Sequence, residues 1–212
     1  MEGQDRPPPR RPALLGKAAL ESLGGAPDPS ALAEVAHATA SALVELGRAD
    51  PEREKTERLV RLVDDHGLET VAALWSERPA RSLPGALWRL YALREWVRRD
   101  PAEASADFGA GHLVAEVPRV VAGAAEPPSP EALQALTDSI LTGVFAGDLA
   151  VALERAGAFC RVVAAGRAHR ADDLEEYDGS RASLLTRRSA SLLRTAEDLE
   201  AAAHLWRTHD LV

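Results

Sequence analysis

Arginine and tryptophan side chains alternate along residues 75–99 of the chain. The tryptophans of this segment are Trp75, Trp88 and Trp96, and the interleaved arginines are Arg78, Arg81, Arg89, Arg98 and Arg99. Arginine contacts phosphates and tryptophan stacks on bases, so this combination is typical of nucleic-acid interfaces. The formal net charge of −8 opposes such binding. Nucleic-acid binding through the segment is therefore an alternative prediction.

Arg94 stands in the middle of an apolar helical stripe that runs through the same segment. The stripe consists of Leu83, Ala86, Leu87, Leu90, Leu93 and Val97. A buried guanidinium is costly unless it is paired, so we expect an ion pair with Asp64, Asp65, Glu69 or another acid. Snorkelling to solvent and contact with a ligand or partner are the alternatives. A helix that is apolar around most of its circumference is normally central in its fold.

Nucleophiles, metal ligands and phosphate-binding loops do not occur here in any recognisable spacing. Asp172, Asp173, Glu175, Glu176 and Asp178 form an acidic run without the spacing of a calcium loop, so we predict a solvated connector. Cys160 falls within an apolar helical stripe, which predicts a buried thiol. No catalytic residue, cofactor or metal is predicted. An enzyme of unrecognised type is a second alternative.

The last predicted helix carries apolar residues at intervals of seven, namely Leu185, Leu192, Leu199 and Trp206. The companion positions are small: Ser189, Ala196 and Ala203. Such a seam packs inside a helical bundle or forms a homodimer or partner interface through 185–206. We expect one continuous helix, although Thr195 and Asp198 resemble a capping box that would start a new one.

The N-terminal residues 1–12 read MEGQDRPPPRRP. This proline- and arginine-rich composition predicts a disordered tail. Arg10 and Arg11 follow the proline run, and a tethered recognition peptide that docks on an acidic or aromatic groove is the functional alternative.

Helix starts are marked by a capping residue followed by proline. They occur at Asp28-Pro29, Asp50-Pro51, Asp100-Pro101 and Ser129-Pro130, with Glu103 positioned for a capping box with Asp100. The predicted helices span 14–23, 29–46, 51–66, 68–77, 84–99, 130–145, 148–166 and 181–207. Gly47 is predicted to end the second, and Gly109, Gly111 and Pro118 are predicted to break 101–123 into short helices.

The sequence therefore predicts an all-α protein, a compact multi-helix bundle with a disordered Pro/Arg-rich N-terminus. Residues 13–123 and 130–212 are predicted as two helical halves packed as one domain. The 212 residues include one cysteine and are 46% hydrophobic, which is ordinary globular usage. Neither a membrane-spanning run nor a secretory signal is present, so we expect a cytoplasmic protein.

Two stretches, LPGALWRLYALREWVRRDP and GDLAVALERAGAFCRVVAAG, resemble small helical proteins of actinomycetes, most of them without assigned function. The chain also resembles the ParJ family, regulators of the chromosome-partition ATPase ParA. The resemblance implies a non-catalytic regulatory protein with a ParA-type partner, and it assigns no functional residue. The candidate interaction residues come from the patterns above: Arg94, Arg98, Arg99, Trp88, Trp96, Leu192, Leu199, Trp206, Arg10 and Arg11.

Overall fold

The computed structural model describes residues 28–49, 53–61, 68–115 and 129–212. All regular structure in these residues is helical, as the sequence predicts. The helices are α1 (Pro29–Ala49), α2 (Arg53–Val60), α3 (Leu68–Trp75), α4 (Leu83–Arg99), α5 (Pro101–Val114), α6 (Pro130–Ala146), α7 (Leu149–Leu174) and α8 (Gly179–Arg207). In this part of the chain, no helix is both long enough and apolar enough to span a membrane. Residues 1–12 and the predicted helix 14–23 lie outside the described residues, and of the predicted helix 51–66 only residues 53–61 are described.

Three of the four predicted capping residues, Asp28, Asp100 and Ser129, lie in the described part of the chain, and two of them make a capping hydrogen bond. Asp28 Oδ1 accepts a hydrogen bond from the Ser30 backbone at 3.1 Å, and Ser129 Oγ accepts one from the Ala132 backbone at 3.1 Å. Asp100 also precedes a helix, but its side chain makes no capping hydrogen bond. The predicted capping box with Glu103 is therefore wrong, and proline alone marks this start.

Four glycines at which helices were predicted to end or break lie inside continuous helices. Gly47 is within α1, where an added Cβ would lie 2.7 Å from the Cβ of Phe145. Gly109 and Gly111 lie within α5, and Gly166 lies within α7, which continues to Leu174. At Gly111 and Gly166 the absence of a side chain allows close helix packing. A Cβ on Gly111, for example, would lie 1.8 Å from the carbonyl oxygen of Val162.

Helices α4 and α7 occupy the centre of the fold. Helix α4 contacts α1, α3, α5, α6, α7 and α8, which agrees with the predicted central position. Helix α7 packs most extensively, along α8 and α5, and the predicted apolar stripe that contains Cys160 is buried from Leu149 to Val163. One core cluster includes apolar side chains from both predicted halves, from Leu90 in α4 to Phe159 in α7.

The seam of α8 faces the interior of the chain. Leu185, Ser189, Ala196, Leu199 and Ala203 are buried, and the helix is continuous through Thr195. Helix α7 provides the main packing partner, and Ser189 Oγ donates to the Ala164 carbonyl at 2.8 Å. The chain thus covers most of the seam itself, which disfavours a homodimer through these buried positions.

Candidate functional site

An open groove of about 780 Å³ lies between α4 and α8, with residues of α5 and α7 completing its lining. Its lining consists of Trp88, Arg89, Ala92, Leu93, Trp96, Asp100, Glu103, Arg167, Arg188, Ser191, Leu192 and Thr195. We call it the α4–α8 groove. It brings together three of the predicted interaction residues, Trp88, Trp96 and Leu192, which come from two helices distant in sequence.

The apolar part of the α4–α8 groove consists of side chains that the core only half covers. Trp88 and Trp96 are eight residues apart on α4, about two helical turns, so both face the same side. They and Leu192 of α8 are partly buried and pack against the core cluster. These side chains therefore present fixed apolar surface to anything that enters the groove.

One of the charged residues in the lining is a buried arginine, Arg167. The Arg167 guanidinium lies over the Trp96 ring, with Cζ 4.7 Å from the ring centroid. Its Nε donates to Asp107 Oδ2 at 2.5 Å, and the Arg167 side chain is only 7% exposed. Stacking and the charge-assisted hydrogen bond together hold the guanidinium in one orientation.

Asp107 is fully buried and binds two arginines. One carboxylate oxygen accepts from Arg167, and the other accepts from Arg170 Nη1. We call these three side chains the Asp107 triad. The close crossing of α5 and α7 explains the arrangement, because a Cβ on Gly166 would lie 1.8 Å from the Asp107 carbonyl oxygen. Only glycine permits this approach of the two backbones, which places Arg167 and Arg170 beside Asp107.

Two further arginines lie at the edges of the α4–α8 groove. Arg188 Nη1 is 3.7 Å from Glu103 Oε1. Arg89 donates from Nη1 to the Gly85 carbonyl at 2.9 Å, and its Nη2 is 3.9 Å from Asp198 Oδ2. Burial lowers the pKa of Arg89, and the nearby Asp198 carboxylate opposes that shift.

Arg94 is outside the α4–α8 groove, on another face of α4. Its side chain is 2% exposed, and its Nε donates to Asp138 Oδ1 of α6 at 2.6 Å. The predicted burial and carboxylate pairing are confirmed. Asp138 is a partner of Arg94, whereas Asp64, Asp65 and the side chain of Glu69 are outside the described part of the chain. Arg98 Nη1 lies 3.6 Å from Asp138 Oδ2, and we call Arg94, Asp138 and Arg98 the Asp138 cluster.

Three of the remaining candidates, Arg99, Leu199 and Trp206, belong to neither the α4–α8 groove nor the Asp138 cluster. Arg99 Nη2 lies 3.2 Å from Glu95 Oε1 at the exposed end of α4. Leu199 is buried, and Trp206 is partly buried. The Arg48 guanidinium lies over the Trp206 ring, with Cζ 5.2 Å from the ring centroid. Arg10 and Arg11 lie outside the described residues. The predicted interaction surface is thus distributed over separate parts of the molecule.

The thiol and the acidic run behave as their sequence settings predict. Cys160 is buried, and burial raises its pKa to about 12, so the thiol stays protonated at neutral pH. The acidic residues Asp172, Asp173, Glu175, Glu176 and Asp178 are exposed, although the first two belong to α7 rather than to a connector. Among the described residues, no group of histidine, cysteine and acidic side chains is placed to hold a metal ion.

Asp107, Arg167 and Arg170 were not among the predicted site residues. The pattern Ala104, Phe108, Gly111 marks the buried face of α5, and Asp107 lies on it. A charged residue on an apolar stripe is also the signal that identifies Arg94. Asp107 could therefore be predicted from the sequence if 101–114 were treated as one helix.

Comparison of the chain with protein-family models, with curated proteins and with solved structures finds no match in any of the three. The resemblance to the ParJ family therefore stays a prediction.

Proposed function

We propose that the chain is a non-catalytic, cytoplasmic protein-interaction or regulatory protein, and that its partner docks in the α4–α8 groove. The observation that carries this proposal is the half-buried Trp88–Trp96–Leu192 surface beside a stacked, ion-paired arginine. Tryptophan and arginine are the residues that dominate binding energy at protein interfaces. Because both tryptophans are already anchored on the core, ordering them on binding costs little conformational entropy.

The contacts of the 75–99 segment favour this proposal over nucleic-acid binding. Trp75 is buried, which removes one predicted stacking platform. Arg81 and Arg89 lie near Asp198, Arg98 lies near Asp138, and Arg99 lies near Glu95. These carboxylates partly neutralise the arginines that would otherwise attract phosphates. Filter binding at low salt tests the alternative, since absence of binding there excludes it.

A ParA-type partition ATPase is the partner we would test first, because of the ParJ resemblance. If the proposal holds for that partner, the purified chain changes the rate at which the ATPase hydrolyses ATP. Replacement of a groove residue then removes the change. Turnover of a small molecule by the chain alone would instead favour the alternative that it is an enzyme of unrecognised type.

Site-specific crosslinking identifies a partner without assuming its name. A photoreactive phenylalanine analogue replaces Thr195 in the α4–α8 groove, and a control protein carries it at Val151, which is 46% exposed on α7. Proteins crosslinked from Thr195 and not from Val151 are purified, and their affinity for the unmodified chain is measured by calorimetry.

Binding of the partner to Trp88→Ala and Val151→Ala then decides the proposal. We expect Trp88→Ala to weaken binding by about 30-fold or more, which corresponds to a hot-spot loss of about 2 kcal/mol. Val151→Ala is expected to leave the affinity within about twofold, since residues outside an interface contribute little. Equal affinities of the two variants would reject the α4–α8 groove as the docking site.

A further inference from the structure

Arg167, which lines the α4–α8 groove, has an unused hydrogen-bonding edge. Its Nε is occupied by Asp107, and its face is occupied by the Trp96 ring. Among the described residues, neither Nη atom has a hydrogen-bond acceptor, although the residue is 6% exposed and lines the groove. Two parallel N–H donors on a fixed guanidinium match the two oxygens of a carboxylate.

The Asp107 triad also carries excess positive charge. One carboxylate faces two guanidinium groups, and solvent screens the charge less at Arg167, whose side chain is 7% exposed, than at Arg170, which is 28% exposed. The net charge of the triad is therefore +1. An anion that reached the Nη edge of Arg167 would neutralise that excess in a poorly solvated place.

We propose that Arg167 binds a carboxylate side chain of the partner, while an apolar side chain of the same partner segment packs between Trp88 and Leu192. This inference rests on the proposed function and names the chemistry of the partner: a segment with an aspartate or glutamate next to a large apolar residue. The mode is an acidic peptide recognised by an arginine in an aromatic-lined groove.

A carboxylate fits the lining better than a phosphoryl group. Asp100 and Glu103 also line the α4–α8 groove, and a dianionic phosphate meets about twice the repulsion from them that a monoanion meets. The net charge of −8 adds a long-range field that repels every acidic ligand. A preference for an acidic ligand must therefore arise from the arginines that line the groove, Arg89, Arg167 and Arg188.

A matched pair of small probes tests the inference in the full chain. The probes are 4-phenylbutyrate and 4-phenylbutanamide, which share a shape and differ in charge. Titrations followed by the NMR signals of the tryptophan indole N–H and arginine Nε–H groups give both affinities. We expect the carboxylate to bind about tenfold more tightly than the amide, as for a charge-assisted bidentate contact. Equal affinities, or no binding of either probe, would overturn the inference.

Two lysine variants locate the effect. Arg167→Lys keeps a positive charge beside Asp107 but lacks the paired Nη donors, so we expect the affinity for 4-phenylbutyrate to fall to that for the amide. Arg161→Lys is the control on the same helix, because Arg161 forms a two-armed pair with Glu200, with both contacts at 2.6 Å, outside the groove. The Arg161→Lys variant should keep the tenfold preference for 4-phenylbutyrate, because it leaves the paired Nη donors of Arg167 unchanged. A preference that survives Arg167→Lys contradicts the assignment.

Inorganic phosphate provides the remaining discrimination. Displacement of 4-phenylbutyrate by an equal concentration of phosphate would assign the Arg167 edge to phosphoryl groups and overturn the choice of a carboxylate. The two proposals fail separately. A partner lost in Trp88→Ala together with equal probe affinities rejects only the carboxylate, whereas a partner that ignores the groove variants rejects the proposed function.

Discussion

The Asp107 triad and the Asp138 cluster contain the same residue types but differ in the burial of the aspartate. Each joins one aspartate to two arginines, and in each an Nε donates to the carboxylate at 2.5 to 2.6 Å. The Asp107 side chain is 0% exposed, whereas the Asp138 side chain is 38% exposed. In the Asp138 cluster the buried group is the cation, since Arg94 is 2% exposed.

The difference determines where water can compensate a lost partner. A carboxylate buried between two helices has no access to solvent, so its charge depends on Arg167 and Arg170. Asp138 reaches inward from a partly exposed position, and solvent screens its charge when an arginine is removed. The same chemistry therefore has a larger structural role at the crossing of α5 and α7 than at the contact of α4 with α6.

Asp107→Asn is expected to have the largest effect of any single change at the two sites. The substitution leaves two guanidinium groups beside a neutral amide, one of them almost fully buried. We expect the free energy of unfolding to fall by about 3–5 kcal/mol, the usual result of breaking a buried pair. Urea unfolding followed by circular dichroism measures it.

The control for Asp107→Asn is Asp173→Asn, which changes an exposed acid on α7. An exposed substitution should shift the free energy of unfolding by no more than about 0.5 kcal/mol. If Asp107→Asn shifted the free energy of unfolding as little as this control, the burial of Asp107 would not make the triad more important for stability than the Asp138 cluster.

Arg94→Ala is expected to have the next largest effect. It removes one of the largest fully buried side chains, leaving a cavity and a carboxylate with one fewer partner. We expect a loss of about 2–4 kcal/mol, below the 3–5 kcal/mol typical of a fully buried pair, because Asp138 is partly exposed. Urea melts measure the shift, and Arg94→Met separates the two causes, since it fills the space without the charge.

The two sites differ in how far sequence predicts them. The burial of Arg94 follows from its position in the stripe of 83–97, because the one glycine of that helix, Gly85, lies in the first turn and leaves the rest of the helical period intact. Its partner was not predictable, because Asp138 lies 44 residues away on α6 and the sequence does not distinguish it from the other 32 acidic residues of the chain. Pairing across helices depends on which faces pack together, and the spacing within one helix does not contain that information.

The sequence does not predict the Asp107 triad, because the pattern of Gly109 and Gly111 predicts a break in the helix that contains Asp107. In an isolated helix glycine costs about 1 kcal/mol relative to alanine, so two of them argue for an interruption. Here Gly111 meets Gly166 at the crossing of α5 and α7, and packing outweighs the local cost. In the same way, Gly166 ends the predicted helix 148–166, which leaves Arg167 outside the helix that places it beside Asp107.

Asp138→Asn is expected to cost less than either change above. The substitution removes the carboxylate 2.6 Å from Arg94 Nε, yet the amide oxygen still accepts a hydrogen bond and the position stays open to water. We expect a loss of about 1–3 kcal/mol, the range for a weakened hydrogen bond to a buried polar group. A loss equal to that of Asp107→Asn in the same urea series would break the comparison.

Arg98→Ala is expected to have the smallest effect. The Arg98 side chain is 39% exposed, and its Nη1 lies 3.6 Å from Asp138 Oδ2, a longer contact than the one made by Arg94. An exposed pair of this kind contributes about 0–1 kcal/mol, and that contribution declines further with added salt. A double-mutant cycle with Asp138→Asn measures the coupling directly. Coupling as large as that between Arg94 and Asp138 would mean that the exposed guanidinium holds the carboxylate in place, and burial of Arg94 would then no longer explain why the Asp138 cluster exists.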